Sequence, residues 1–331
     1  MKNRIVGAAA AATVLALSIT ACSAPSVDDS RDDAGALVIY SAEEVVDFFA
    51  KRFENDRSGV SVEVVKGSSG ESVSRVIAEK DNPRGDIVIA GNDPASSNPG
   101  VFAKNEGVDL SGINPALIDD AGYAVPVVVF PVIFVYNEDR LKGDAVPTKW
   151  AELADAKWKK RVYMGNPITS EAAYKAMATW WAIGGWDLVK AIAQNVIVTE
   201  GSTDPMRAVG NGEAAIGIGV EQQVYKWADG KKTKAGYPTD GIILHVQTWY
   251  KVAHSPSPTN ATSFLNFMLT PENQKLMTKE YPGMRSVLTD EPVSDAVPPL
   301  SRLNIIDLPE EAMKDRKAWN DRWKDIITSV G

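Results

Sequence analysis

Residues 60–77, VSVEVVKGSSGESVSRVI, carry the pattern that decides the fold. The opening Val60-Ser61-Val62-Glu63-Val64-Val65 alternates β-branched and polar side chains, as a strand does. Gly67-Ser68-Ser69-Gly70-Glu71 then makes a turn, and Val73, Val76 and Ile77 follow at the spacing of one helix face. Ser68 with Glu71 three residues on is a capping-box pattern, which starts the helix here. Such a start leaves several backbone N–H groups unpaired, with the positive end of the helix dipole behind them. Two hydroxyls beside it suit a phosphate, a carboxylate or another anion. Hydroxyls that only cap a helix in solvent are the plainer alternative.

The flanking sequence repeats the alternation. Ala36 to Tyr40 is an apolar run of strand length ending at Ser41, and Val45, Val46, Phe49 and Phe53 then follow at helical spacing. Asn82-Pro83 stops the helix after the turn, and Asp86 to Ala90 is a third apolar strand, ending at Gly91-Asn92. Strand, helix, strand, helix, strand predicts a parallel sheet covered on both faces. Ligands of such sheets bind beyond the carboxyl ends of the strands, where Ser41, the Ser68-Ser69 turn and Asn92 lie.

Farther on, Val125 to Tyr136 is apolar but carries Pro126 and Pro131. A central strand does not carry a proline in mid-run, so two extended pieces are expected, the second (Val132 to Asn137) entering a new lobe. There the turn logic returns twice. Asn166-Pro167-Ile168-Thr169-Ser170 follows the strand Val162 to Met164, with Ser170 placed to cap a helix bearing Ala173, Met177, Trp180 and Trp181. Gly201-Ser202-Thr203-Asp204-Pro205 puts proline at a first helical position, with Asp204 or Thr203 as cap. One hydroxyl-rich helix start is ordinary; three after short strands predict a shared cleft. Ala214 to Val220 is a further strand, ending at Glu221. The glycines Gly210 and Gly212 precede that strand, the reverse of a dinucleotide fingerprint, and no P-loop or G-x-S-x-G turn is present. The tryptophans of the last helix, Trp319 and Trp323, read as core.

The chain begins with Lys2 and Arg4, an apolar run from Ile5 to Ile19, and Ile19-Thr20-Ala21-Cys22. This is the pattern of a signal peptide (1–21), and Cys22, the single cysteine, sits where a bacterial lipobox places its lipidated residue. Residues 22–35 are small and acidic and read as a flexible tether. The net charge of −8 offers no nucleic-acid footprint.

With these pieces placed, the chain resembles bacterial extracellular solute-binding proteins of ABC importers, in the branch of ferric-iron, hexose-phosphate and aminoethylphosphonate binders. The likeness runs in order through VIYSAEE (38–44), KGSSGE (66–71), NPRGDIVI (82–89), FVYN (134–137) and NPITSEAAY (166–174). It continues in TEGSTDPMRAVGNGEAAIGI (199–218), AGYPTDG (235–241) and RKAWNDRW (316–323). The resemblance implies a two-lobed α/β fold of the type II periplasmic-binding-protein kind with a ligand cleft between the lobes. The first lobe would be 36–133 plus 240–282, the second 134–239 plus 283–331. Carried over by position, the first lobe's ligand wall is Ser41, Ser68, Ser69, Gly70 and Asn92. The second lobe's is Asn166, Thr169, Ser170, Ser202, Thr203 and Glu221. Iron-binding relatives place adjacent tyrosines after the strand that here ends at Val220, and often a histidine after the first strand. This chain has Glu221-Gln222-Gln223-Val224-Tyr225 and Glu43-Glu44 there. His245 and His254, the only histidines, fit no common metal spacing.

The function expected is capture of a small phosphorylated or phosphonate-type anion and its delivery to an importer's permease. The protein would be a monomer without cofactor or catalysis, held by lipid on the outer face of a membrane. Glu221 would meet a hydroxyl or amine of the ligand. Ferric iron, or ligand sensing for a membrane kinase, are the alternatives. Paired carboxylates such as Glu43 and Glu44 would be needed for an enzyme, but neighbours on a helix point apart.

Overall fold

The 14-residue strand Ala124–Asn137 runs through the whole molecule and belongs to two sheets. It lies in a computed structural model that describes residues 36–90, 93–227, 233–290 and 294–330. The leader, Cys22 and the 22–35 tether fall outside these. In chain order the first elements are β1 (Leu37–Tyr40), α1 (Glu44–Asp56), β2 (Val62–Val65), α2 (Ser69–Ala78), β3 (Ile87–Ala90), α3 (Pro94–Ser97), β4 (Ala124–Asn137) and α4 (Glu138–Leu141). There follow β5 (Val162–Gly165), α5 (Glu171–Ala193), β6 (Val196–Thr199), α6 (Asp204–Gly210), β7 (Ile216–Val220), α7 (Gln222–Trp227) and β8 (Thr233–Gly236). The last are β9 (Leu244–Lys251), α8 (Pro258–Leu269), α9 (Pro271–Glu280), α10 (Glu310–Lys314) and α11 (Arg316–Val330).

The first sheet has the order β2-β1-β3-β9-β4 and the second β8-β4-β7-β5-β6. Strands β1 to β3 are mutually parallel, as are β5 to β7, whereas β9 and β4 cross antiparallel to their neighbours. The α/β architecture expected from the alternation is the one that forms. The two pieces expected of Val125 to Tyr136 are instead one strand whose partners change. Residues 124–131 pair with β9, and Val132 to Asn137 pair with β7 and β8. Pro126 is tolerated beside a register shift, and Pro131 sits at the changeover, its carbonyl accepting from the Glu221 N–H at 3.1 Å.

These registers place the carboxyl ends. Ala90, ending β3, is level with Thr248 and hence with Pro126; Val220, ending β7, is level with Val132. The parallel strands of both lobes therefore point toward the same stretch of β4 from opposite directions. Around it, α1 buries Val45, Val46, Phe49 and Phe53, the last edge-on to Phe264 of α8 at 5.1 Å. In the second lobe α5 buries Ala173, Met177 and Trp180, and bends where Gly185 takes φ 65°. Trp319 and Trp323 are core, as read; Trp319 packs on Trp181 and Trp186 at 5.1 and 4.9 Å. A side chain at Gly217 would meet the Pro205 carbonyl at 2.7 Å, so glycine lets α6 close on β7. No helix among the described residues is long and apolar enough to cross a membrane.

Candidate ligand site

The helix starts form as the spacing predicts, but their hydroxyls are not equally free. Ser68 is the N-cap of α2 in a complete capping box. Its Oγ accepts from the Glu71 N–H at 3.3 Å and donates to Glu71 Oε2 at 2.8 Å. The Ser68 N–H donates to the same oxygen at 2.8 Å. These bonds hold the Glu71 carboxyl below the usual range and use up the Ser68 side chain. Ser69 and Gly70 stay exposed at the first helical positions, where N–H groups lack intrahelical acceptors. A Cβ on Gly70 would touch nothing within 4 Å, so the space above is open. Ser41, 2 % exposed, accepts from the Glu43 N–H at 2.9 Å and shapes the entry to α1. Asn92 lies outside the described residues.

In the second lobe Asn166 builds its turn. Its Oδ1 accepts from the Ile168 N–H at 3.1 Å, and its carbonyl accepts from Thr169 and Ser170 at 3.0 and 2.8 Å. Ser170 is buried and caps α5, accepting from the Ala173 N–H at 3.4 Å. The exposed Thr169 hydroxyl reaches only the Asn166 and Glu200 carbonyls, each at 3.4 Å. Ser202 and Thr203 are exposed too. Of the two caps left open at α6, Thr203 holds the position without a side-chain bond, while the Asp204 carboxylate accepts from the Gly201 N–H at 3.0 Å and pairs with Arg207. The hydroxyls with capacity left are thus Ser69, Thr169, Ser202 and Thr203.

Glu221 departs from its expected part. Spacing assigns its carboxylate to a ligand; the structure gives it to Arg285. Glu221 is fully buried and Arg285 1 % exposed, joined at 2.7 and 2.9 Å through Nε and Nη2, with the Tyr237 hydroxyl donating to the same carboxylate. A carboxylate so enclosed has no edge left for a solute. Burial and the Glu221 charge raise both Tyr237 and Tyr225 above the ordinary phenol value. The Tyr225 hydroxyl donates to the Ala296 carbonyl at 2.8 Å. Arg285 was legible only as a cation among apolar neighbours, Met284 and Val287.

The carboxylates that remain open are Glu43 and Glu44, at the start of α1. They share a cavity of about 190 Å³ with Gln222, Tyr225 and Lys226 of α7, and Glu44 meets Lys226 at 3.5 Å. The first lobe's leading helix thereby touches the second lobe's α7. A larger hollow of about 590 Å³ includes Val129, Leu244 and the 286–290 segment; none of the expected residues lines it. Among the described residues no three His, Cys, Asp or Glu side chains gather as a metal requires.

Comparison with known proteins bears on the family and the fold. The family described as bacterial extracellular solute-binding protein matches residues 49–298. The thiamine-binding periplasmic protein of Escherichia coli is 25 % identical over 292 residues, 84 % of this chain and 87 % of that one. The periplasmic binding protein AfuA of Actinobacillus pleuropneumoniae, solved with fructose 6-phosphate, superposes with a TM-score of 0.74 at 25 % identity, over 89 % of this chain and 99 % of its own. Iron-bound HitA of Pseudomonas aeruginosa gives 0.72 at 19 % identity, over 89 % and 99 %. These three proteins, named or solved with three different solutes, share one frame with this chain.

Proposed function

The chain belongs to the bacterial extracellular solute-binding proteins, and from that premise we propose that it carries a small organic phosphate or phosphonate with a hydroxyl or amine at its other end. One observation carries the reading: α2 and α5 start at carboxyl ends of opposite lobes with Ser69 and Thr169 exposed, the Thr169 hydroxyl held only by two long 3.4 Å bonds. Helix starts with free hydroxyls suit a phosphoryl group. The hydroxyl or amine falls to Glu43 and Glu44, which take the part that Glu221 cannot. The likeness to a protein solved with fructose 6-phosphate supports this choice. The delivery partner is an importer permease, and Cys22 is the proposed lipid anchor on the outer membrane face, as its Ile19-Thr20-Ala21-Cys22 setting suggests. Iron is the weaker reading, since the phenols Tyr225 and Tyr237 donate their protons to the Ala296 carbonyl and the Glu221 carboxylate instead of standing free as ligands.

Thermal melting with fructose 6-phosphate, 2-aminoethylphosphonate, thiamine or ferric nitrilotriacetate tests this directly. A phosphorylated or phosphonate compound should raise the melting temperature, because a ligand that binds only the folded state stabilises it. Stabilisation by thiamine alone, or a saturable visible band with ferric iron, would overturn the reading.

A further inference from the structure

The strands that join the lobes carry polar side chains where apolar ones would pack. In β9, His245, Gln247 and Trp249 alternate onto one face, with Phe130 and Val128 of β4 opposite the first two. Trp249 is buried and its ring stacks on Phe264, though its Nε1 also lacks a partner. The other two have no comparable packing to account for them. His245 lies flat against Phe130 at 6.0 Å, its Nδ1 buried and without a partner. Gln247 is 7 % exposed, and its Nε2 reaches Glu43 Oε1 only at 3.4 Å. Its Oε1 is buried with no partner at all.

From the other lobe comes Lys175, in the second turn of α5. Its Nζ donates to the Leu244 carbonyl at 3.0 Å, beside His245, which uses one of three donors. Burial lowers its pKa, and the nearest acid, Glu171, is already paired with Arg316 at 2.6 Å. Burial and the Lys175 charge together keep the imidazole neutral, with a pKa of about 3. The four residues form one line, from the N-cap of α1 in the first lobe, across the connecting strand, to α5 in the second. Buried polar atoms are nearly always satisfied, and unsatisfied ones weaken a fold. His245 Nδ1, Gln247 Oε1 and Trp249 Nε1 on one face, with a partly used cation beside the first, make a polar row that lacks its partner.

We propose that Glu43, Gln247, His245 and Lys175 are the floor of the ligand cleft, holding the solute's anionic group at Lys175 and His245 and its hydroxyl or amine at Gln247 Oε1 and Glu43. This rests on the function proposed above and names the side chains that read both ends of the solute. It also supplies a cation, which the helix starts alone do not.

The test is calorimetric titration of fructose 6-phosphate and 2-aminoethylphosphonate into wild type, Lys175→Met and Gln247→Met, with melting temperatures measured alongside. Both substitutions keep side-chain length and remove polarity; Lys175→Met also gives up the bond to the Leu244 carbonyl, so the melting temperature is read separately from the affinity. For whichever probe binds wild type, affinity should fall roughly ten- to a hundred-fold in Lys175→Met and about ten-fold in Gln247→Met. Lys175→Arg, keeping the charge, should recover most of the loss. Unchanged affinity in both methionine variants would make the row hydrated structure only, overturning the inference while leaving the function intact. Failure of both probes to bind wild type would instead sink the function, and the assignment of Lys175 with it.

Discussion

Glu221 and the pair Glu43-Glu44 look alike in sequence: each follows the end of a parallel strand, at the edge where such folds bind ligands. Their surroundings are opposite. Glu221 is sealed by Arg285 and Tyr237, whereas Glu43 is half-buried, Glu44 is exposed, and their strongest ties are a 3.4 Å bond to Gln247 and a 3.5 Å contact with Lys226. Position along a strand therefore does not make a carboxylate a ligand group; an uncommitted edge does. The sealed one should govern stability and the open ones affinity.

Breaking the sealed pair should have the largest effect. Arg285→Met leaves a buried carboxylate without its counter-charge, which costs about 3–5 kcal/mol. The urea midpoint should fall accordingly, and Arg285→Met with Glu221→Leu should recover much of the loss, because removing both charges removes the desolvation problem. A midpoint within experimental error of wild type for the single variant would show that Glu221 is not held as the geometry implies. Next come the open elements. Ser69→Ala and Thr169→Ala each remove a bond to a charged group, worth about 1.5–3 kcal/mol, so affinity for a bound organophosphate should drop roughly ten- to a hundred-fold. Stability should barely move. If both variants bind like wild type, those helix starts are not in the site.

The same contrast shows what could be read in advance. Strand and helix order, the three hydroxyl-bearing starts and a break in the long apolar run near Val132 follow from period and turn chemistry, which are local. The proline rule misjudged β4, because a strand can pass a proline where its neighbours change, and neighbours are not local. The capping box was visible in Ser68 and Glu71, but not that completing it would use up the Ser68 hydroxyl while leaving that of Ser69. Glu221 misled for the same reason: its partner Arg285 lies 64 positions away. His245 fits no metal spacing, and its place opposite Phe130 follows only from the pairing of β9 with β4, which is not local.

His245 offers a third case, intermediate in size: a half-buried ring with an enclosed Nδ1 that gives up its charge instead of pairing it. Its folded pKa, about 3, lies below the ordinary 6.5. Between these values the unfolded chain takes a proton that the folded chain refuses, so stability is complete above about pH 6.5 and declines as pH falls toward 3. From pH 7.5 to 5 the loss from this residue should be on the order of 1–2 kcal/mol. His245→Phe should flatten that part of the profile, seen as urea midpoints against pH. An equal slope in the variant would mean that the imidazole accepts its proton freely in the folded protein.

The smallest effect belongs to Lys226, and it probes the open carboxylates most directly. Its contact with Glu44 is exposed on both sides, 52 % and 75 %, and such pairs contribute about 0–1 kcal/mol. Lys226→Met should therefore leave the unfolding midpoint nearly unchanged. It should also free Glu44 from a competitor. If Glu44 receives the amine of a solute, 2-aminoethylphosphonate should bind up to about five-fold more tightly to the variant, since removing a contact of that size can release no more than it held. Fructose 6-phosphate, which lacks an amine, should gain less. The gain should also shrink in high salt, where exposed charges are screened. A loss of ten-fold or more would place Lys226 on the solute's anion instead, and would move the positive end of the site from α5 to α7.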